Sequence, residues 1–270
     1  MDGIILSNEV IHSLKLLKKP GMILKLDLSK YFEKLSWNYI YEMLLAFGFN
    51  TTWTRWISNL ISTPCFSVLL NGSPSTPFCP SRGIRQGDPL SPFLFILMAK
   101  GLSRLLHSTV SSQDIKGISL HGLQPLSHQQ FVDDTMLFGH PLTQEAKALK
   151  KIISLFSEAF GTSINASKSQ LFFFNTPAST QRNITRNLGF SIAMLPSKYL
   201  GAPLLDSALK HASWRTLLDK MDSRLSSWTF RSLNIAGRLI LIKSIFQAMP
   251  MYLFFVLAAP KWVLKVIRNL

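Results

Sequence analysis

A chain of 270 residues that is 47% hydrophobic can bury a sizeable core, as one large domain or two smaller ones, and this excludes disorder of the whole. With 29 Lys and Arg against 14 Asp and Glu the net charge is +15, which favours a polyanionic partner, either nucleic acid or an anionic membrane surface. Its two cysteines, Cys65 and Cys79, supply neither a disulfide framework nor zinc-ligand spacing, so a reducing, intracellular setting is the default.

Asp2 stands where a secretory signal would carry Lys or Arg, and no targeting peptide is read at the N-terminus. Ile4, Ile5, Val10, Ile11, Leu14 and Leu17 recur at near-helical spacing, and Lys18-Lys19-Pro20-Gly21 supplies a basic last turn and a stop. Met22 to Leu28 then alternates, with Met22, Leu24, Leu26 and Leu28 on one face and Ile23, Lys25 and Asp27 on the other. Asp27 is therefore predicted near the end of a strand whose opposite face is buried. Trp37, Ile40, Tyr41, Leu44 and Phe47 predict a helix that Gly48 ends. Cys65 to Leu70 reads as a strand, Asn71-Gly72 as a hairpin turn, and the Pro- and Ser-rich return through Phe78 as ragged pairing. The loop Ser81 to Pro89 holds two glycines with Arg82, Arg85 and Gln86, and Ser91 is expected to cap the next helix, with Pro92 at its first position.

After a polar linker, Gln130 to Phe138 places Asp133 and Asp134 side by side among residues that otherwise favour buried strands. An unpaired carboxylate there is costly, so either a cation sits at the pair or the turn is open to water, and a surface hairpin with Asp-Asp at its tip is the plain alternative. A helix with Thr143 as N-cap and Gly161 at its end follows, then a buried strand at Leu171 to Phe174, an extended piece at Tyr199 to Leu204, and a helical region from Trp214, with a domain boundary near 205. The uncharged stretch 244–260 approaches the length of a membrane span, but a buried helix broken at Pro250 is the preferred reading. If the strand of Asp27 neighbours the acid hairpin, three carboxylates converge, and such a set can hold two Mg2+ ions for in-line phosphoryl displacement. Adjacent strand residues face opposite ways, so Asp133 is expected to be the main ligand and Asp134 its helper.

These residues carry a resemblance. Lys25 to Trp37 (Lys-Leu-Asp-Leu-Ser-Lys-Tyr-Phe-Glu-Lys-Leu-Ser-Trp) is similar to motif A of reverse transcriptases from LINE-type, non-LTR retrotransposons of the sort abundant in plants. Arg82-Gly83-Ile84-Arg85-Gln86-Gly87-Asp88-Pro89-Leu90-Ser91-Pro92 resembles motif B, and Phe131-Val132-Asp133-Asp134 resembles motif C. Gly161 to Ser169 is similar to motif D, Tyr199 to Leu204 to motif E, and Ala236-Gly237-Arg238 with the segment after it to the thumb.

The resemblance implies an α+β fold: a right-hand polymerase palm, with an antiparallel sheet and helices on one face, over residues 1–205, and a mostly helical thumb over 206–270. It implies an RNA-directed DNA polymerase that transfers dNTPs to a primer 3′-OH, using two Mg2+ ions or Mn2+ in their place. Its partners would be an RNA template, a DNA primer and dNTPs, with no membrane and no further cofactor, in the nucleus or cytoplasm. Asp27, Asp133 and Asp134 would be catalytic, holding the metals with the Leu28 carbonyl. Phe32 would be the gate that rejects a 2′-hydroxyl, Arg85, Gln86 and Gly87 would touch template and nucleotide, and Lys168 would meet the leaving pyrophosphate. Tyr199, Leu200 and Gly201 would form the primer grip, and Lys220, Arg224, Arg231 and Arg238 would face a duplex backbone.

Three departures qualify the pattern. Tyr31-Phe32-Glu33 stands where motif A usually reads Ala-Phe-Asp or Ala-Tyr-Asp, and Tyr31 is expected to crowd Phe32. Val132 stands where motif C usually has Ala. Met1 falls only 26 residues before Asp27, so the fingers are expected to be largely absent, and a catalytically inactive remnant that keeps only nucleic-acid binding, or no function, is the alternative.

Overall fold

The structure is a computed structural model that describes residues 2–120, 124–132, 134–205, 211–226 and 233–269. The chain parts into two compact units, one of residues 16–193 and the other of residues 1–15 with 194–270. Compactness thus divides the chain between Ala193 and Met194, whereas the sequence placed a boundary near 205.

In the first unit the strand predicted at Met22 to Leu28 is β1 (Gly21–Ser29). It is the centre of a sheet with β4 (His128–Phe131), β5 (Asp134–Gly139), β7 (Gln170–Phe174) and β8 (Ser191–Ile192) in the order β4-β5-β1-β7-β8, and β6 (Ser163–Ile164) pairs with the far end of β1. All pairs are antiparallel except β7 with β8. Alternation has the expected consequence. Met22, Leu24, Leu26 and Leu28 are buried in one core with Leu44, Met98, Leu102, Leu149 and Phe156. That core is covered by α3 (Trp37–Ala46), α4 (Thr51–Ser62), α5 (Ser91–Ser111), α6 (Thr143–Phe160) and α7 (Ala178–Leu188). Each fully buried Leu or Met contributes about 2 kcal/mol of transfer free energy. The short α2 (Tyr31–Lys34) follows β1 directly.

Two expected caps do not form. Ser91 is the first helical residue of α5, preceded by Leu90, and the Asp88 carboxylate accepts the Leu90 N–H at 2.8 Å. Thr143 likewise begins α6 with no side-chain cap at Leu142, while Glu145 accepts the His140 N–H at 2.9 Å. In both places the expected cap residue is already helical, and the carboxylate closes the turn leading into the helix without capping a first-turn N–H. Gly161 ends α6 in the left-handed conformation, as expected.

The Asn71-Gly72 hairpin forms with only two residues a side, β2 (Leu69–Leu70) and β3 (Ser73–Pro74), plus an isolated bridge between Phe66 and Phe78. Cys65 and Cys79 are disulfide-bonded, with a Cα–Cα separation of 4.5 Å. This differs from the sequence expectation, because the Phe66–Phe78 bridge brings their neighbours together, which a count of two cysteines does not reveal.

His128 on β4 ties this strand to α5: its Nε2 is 2.9 Å from Ser103 Oγ and its Nδ1 is 2.9 Å from Ser127 Oγ. Burial first, then the charges of His107 and Lys100, push its pKa down to about 4. The unfolded state therefore takes up a proton at His128 that the folded state refuses, and stability falls as pH drops from about 6.5 toward 4. A His128→Gln variant is expected to lose that part of the pH dependence in melting temperatures measured between pH 8 and pH 4.

The second unit holds α1 (Asp2–Leu16), a hairpin of β9 (Ser197–Tyr199) with β10 (Ala202–Leu204), and the helices α8 (His211–Ser226), α9 (Ile235–Ile242), α10 (Ala248–Val256) and α11 (Lys261–Asn269). The α1 side chain Asn8 accepts the Leu205 N–H at 3.0 Å. Trp214, Met221, Leu225, Leu241, Ile245 and Val263 form its helical core. The helix does not break at Pro250, contrary to expectation. A π-helical turn over Lys243–Gln247 joins α9 to α10 just before the proline, widening the helix where the ring needs room. Nor is this segment wholly buried, since Met251 and Phe255 are exposed. Among the described residues two helices, Ser91–Ser111 and Ile235–Val256, are long and apolar enough to cross a membrane by length and composition alone, and α5 buries one face in the sheet core.

Candidate active site

The register of β1 against β5 places Asp27 directly opposite Asp134. The Asp27 carbonyl accepts the Asn165 N–H at 2.9 Å and the Asp27 N–H donates to Ser169 Oγ at 3.1 Å, so both backbone groups point away from β5. The opposition is therefore of the non-hydrogen-bonded kind, in which Cα atoms lie about 4.5 Å apart and both side chains leave the same face. Alternation turns the Leu28 carbonyl the other way, toward the edge that β5 occupies. Asp133 lies outside the described residues, and Val132 before it adopts a left-handed φ of 51°.

The Lys168 ammonium is 4.0 Å from the Asp27 carboxylate, and the two side chains are 72% and 27% exposed. A half-sheltered carboxylate that already draws a flexible cation, with a second carboxylate opposite it, suits a hard divalent ion such as Mg2+, which prefers oxygen donors and retains waters. Among the described residues no cluster of three or more His, Cys, Asp or Glu side chains forms a metal site.

Motifs A and B are locked together through backbone. Ile84 N–H donates to the Phe32 carbonyl at 2.8 Å, Gly83 N–H to the Leu35 carbonyl at 2.7 Å, and Trp37 Nε1 to the Gly83 carbonyl at 2.7 Å. A Cβ on Gly83 would lie 2.5 Å from the Glu33 carbonyl oxygen. Gly87, expected to touch template and nucleotide, has a φ of 86° and open space around it. Gly83 and Trp37 are thus site-building residues that the sequence did not single out, although a glycine next to motif A's partner loop was the available signal.

Phe32 is half-buried and stacked on Phe95, with ring centroids 4.7 Å apart and planes at 9°. Tyr31 packs on the same Phe95. It is buried among Phe95 and Phe160, at 5.0 and 4.3 Å between centroids, on the core side of α2. Arg85 and Gln86 are exposed, and the Arg85 guanidinium lies 5.9 Å from the Phe66 ring centroid.

The remaining sequence candidates sit in the second unit. Tyr199 is only 1% exposed, while Leu200 and Gly201 make the turn of the β9–β10 hairpin, with φ of 47° and 84°. The Tyr252 hydroxyl donates to the Leu200 carbonyl and braces that turn. Lys220, Arg224 and Arg238 are exposed, and Arg231 lies outside the described residues.

Residues 2–204 match the family described as reverse transcriptase (RNA-dependent DNA polymerase). The chain belongs to the reverse transcriptase family. This reverse transcriptase domain is 33% identical over 146 residues to the Pol polyprotein of the type-2 retrotransposable element R2DM of Drosophila melanogaster, covering 54% of the chain and 13% of that protein. It is 30% identical over 153 residues to the R2 Pol polyprotein of Popillia japonica, covering 56% and 21%. An uncharacterized mitochondrial protein of Arabidopsis thaliana is 44% identical over 68 residues, 25% of this chain and 56% of that one. The domain thus spans a minor part of the R2 polyproteins it matches. Its relatives place it with non-LTR retrotransposon sequences. The fold is that of solved telomerases: the Candida albicans structure, in complex with the TWJ fragment of telomeric RNA, superposes with a TM-score of 0.54 at 13% identity, covering 99% of this chain and 46% of that one. The Candida tropicalis structure gives 0.53 at 14%, covering 93% and 42%.

Proposed function

We propose that this domain makes DNA on an RNA template, transferring a deoxynucleotidyl group from a dNTP to a primer 3′-OH with release of pyrophosphate. The observation that carries the reading is the in-register opposition of Asp27 and Asp134 with the Lys168 ammonium beside Asp27. Asp27 and Asp134, with Asp133 and the Leu28 carbonyl, would hold two Mg2+ ions. Such ions activate the attacking oxygen and stabilise the leaving one. Lys168, on a long flexible stem, reaches from the Asp27 carboxylate toward the departing pyrophosphate. Phe32, fixed from behind by Phe95, presents its other side to the sugar, and Arg85 with Gln86 meets template and nucleotide from the exposed loop.

The same reading takes residues 1–205 as palm and 206–270 as thumb, with the Tyr199 to Gly201 hairpin gripping the primer through its Leu200-Gly201 turn and with Lys220, Arg224, Arg231 and Arg238 along the duplex. A chain that uses RNA and dNTPs would work inside the cell, in the nucleus or cytoplasm. Support for an RNA partner comes from the net charge of +15 and from the RNA held by the fold-related Candida albicans telomerase.

The test is extension of a labelled DNA primer annealed to RNA, with dNTPs and Mg2+. Template-dependent elongation is the expected result. Binding of the primer–template without any elongation would overturn the polymerase reading in favour of a binding-only remnant. In the same assay, Phe32→Ala is expected to raise ribonucleotide relative to deoxynucleotide incorporation by roughly 10- to 100-fold, the range that a pocket contact of this size discriminates. An unchanged ratio would remove Phe32 from the sugar site.

A further inference from the structure

The sheet is irregular opposite Asp27. β6 ends at Ile164, opposite Leu28, and β7 begins at Gln170, opposite Lys25. Five residues, 165–169, therefore face only two, Leu26 and Asp27, and a regular ladder cannot continue across them. The backbone N–H of Asp27 points into this gap, where no strand carbonyl opposes it. Ser169 Oγ accepts that N–H at 3.1 Å, from a side chain with no exposed surface and 142 positions away in sequence. The other half of the connection is Asn165, whose N–H donates to the Asp27 carbonyl at 2.9 Å.

The intervening turn is closed on itself. The Lys168 and Ser169 N–H groups donate to the Asn165 carbonyl at 3.2 and 2.9 Å, and Ser167 Oγ donates to Asn165 Oδ1 at 2.7 Å. One closed turn thus holds both backbone groups of Asp27 and also carries Lys168, whose ammonium lies 4.0 Å from the Asp27 carboxylate.

We propose that Ser169 is a positioning residue for metal-dependent nucleotide transfer: its buried hydroxyl replaces the missing ladder acceptor and fixes the carboxylate of Asp27 relative to Lys168. This rests on the polymerase reading above. The hydroxyl touches neither substrate nor metal and acts through the Asp27 backbone. Removing it leaves a sheltered N–H unpaired, and the strand end relaxes to find another acceptor, carrying the carboxylate with it. Groups that orient metal ligands from behind change metal affinity or activity by roughly 10- to 100-fold when lost.

The experiment compares wild type with Ser169→Ala, Ser169→Thr and Ser169→Cys. Mn2+ binding is followed by water-proton relaxation, and the Mg2+ concentration for half-maximal primer extension is measured beside it. Ser169→Ala is expected to raise both midpoints about tenfold while the KM for dNTP stays within twofold. Ser169→Thr keeps the hydroxyl and restores both midpoints. Ser169→Cys keeps the volume with a weak acceptor and falls between, which covers the case in which the alanine variant does not fold. Midpoints unchanged in the Ala and Cys variants, with only a lower melting temperature, would overturn the positioning role. Wild type that binds Mn2+ but extends no primer would sink the polymerase reading alone, and the Mn2+ midpoints would still decide for or against Ser169.

Discussion

Asp27→Asn is expected to cut Mg2+-dependent primer extension by at least roughly a thousandfold while leaving the melting temperature within a few degrees. The substitution keeps shape and removes one charge from a pair whose task is to hold cations. Metal ions stabilise the charge of phosphoryl transfer by several kcal/mol, and each 1.36 kcal/mol is a tenfold change in rate, so losing about 4 kcal/mol gives that figure. Stability is spared because the side chain lies near a strand end and its ion pair is with Lys168, which is itself exposed. An Asn there also removes the reason for Lys168 to approach, so Asp27→Asn combined with Lys168→Met should cost less than the sum of the two single changes. The pair of assays, extension rate and thermal melting, separates this outcome from simple unfolding. Equal activity in Asp27→Asn and wild type would remove the carboxylate from the chemistry.

Gly83→Ala is expected to destabilise the first unit by about 3 kcal/mol and to abolish extension with it. Two independent costs meet at this position. The backbone has a φ of 85°, where any side chain is strained by about 1 kcal/mol or more, and the new Cβ would lie 2.5 Å from one backbone oxygen and 2.9 Å from a backbone carbon of Glu33. Backbone cannot swing aside as a flexible side chain does, so α2 and the loop after Gly83 must separate, breaking the bonds from Ile84 to Phe32 and from Gly83 to Leu35. Gly87→Ala is the control. It bears the same φ strain without the collision and should cost only about 1 kcal/mol. Urea unfolding of the three proteins checks the order. Similar midpoints for the two alanine variants would show that the motif A to motif B contact does not constrain the loop.

Much of the first unit was legible because its signals are local. Alternation through Met22 to Leu28 determines which face of β1 is buried. Asn71-Gly72 and Gly161 specify backbone conformations that few other residues adopt, and both occur where predicted. The partnership of Asp27 with the acid hairpin was an inference from chemistry, and its register, which brings Asp134 opposite Asp27, follows only from strand pairing between distant segments.

What stayed hidden depends on three-dimensional neighbours. Ser91 and Thr143 have the right residue type for caps, but each is the first helical residue, one place too far along to cap. Tyr31 was expected to crowd Phe32, and the structure shows it buried against Phe160 while both rings share Phe95. The disulfide depends on a single bridge between Phe66 and Phe78, and the passage of the helix through Pro250 on a π turn that has no residue signature. Ser169 was visible as part of a motif, but its purpose appears only when the gap between β6 and β7 is set against Asp27.

The most direct test of the account is metal occupancy at the β1–β5 carboxylates. Electron paramagnetic resonance of Mn2+ titrated into the protein with primer–template and a dNTP should show two bound ions per chain in wild type, and loss of both in Asp27→Asn. Mn2+ binding that is absent, or that is the same in wild type and Asp27→Asn, would contradict the claim that this acid pair is built to hold metal for nucleotide transfer.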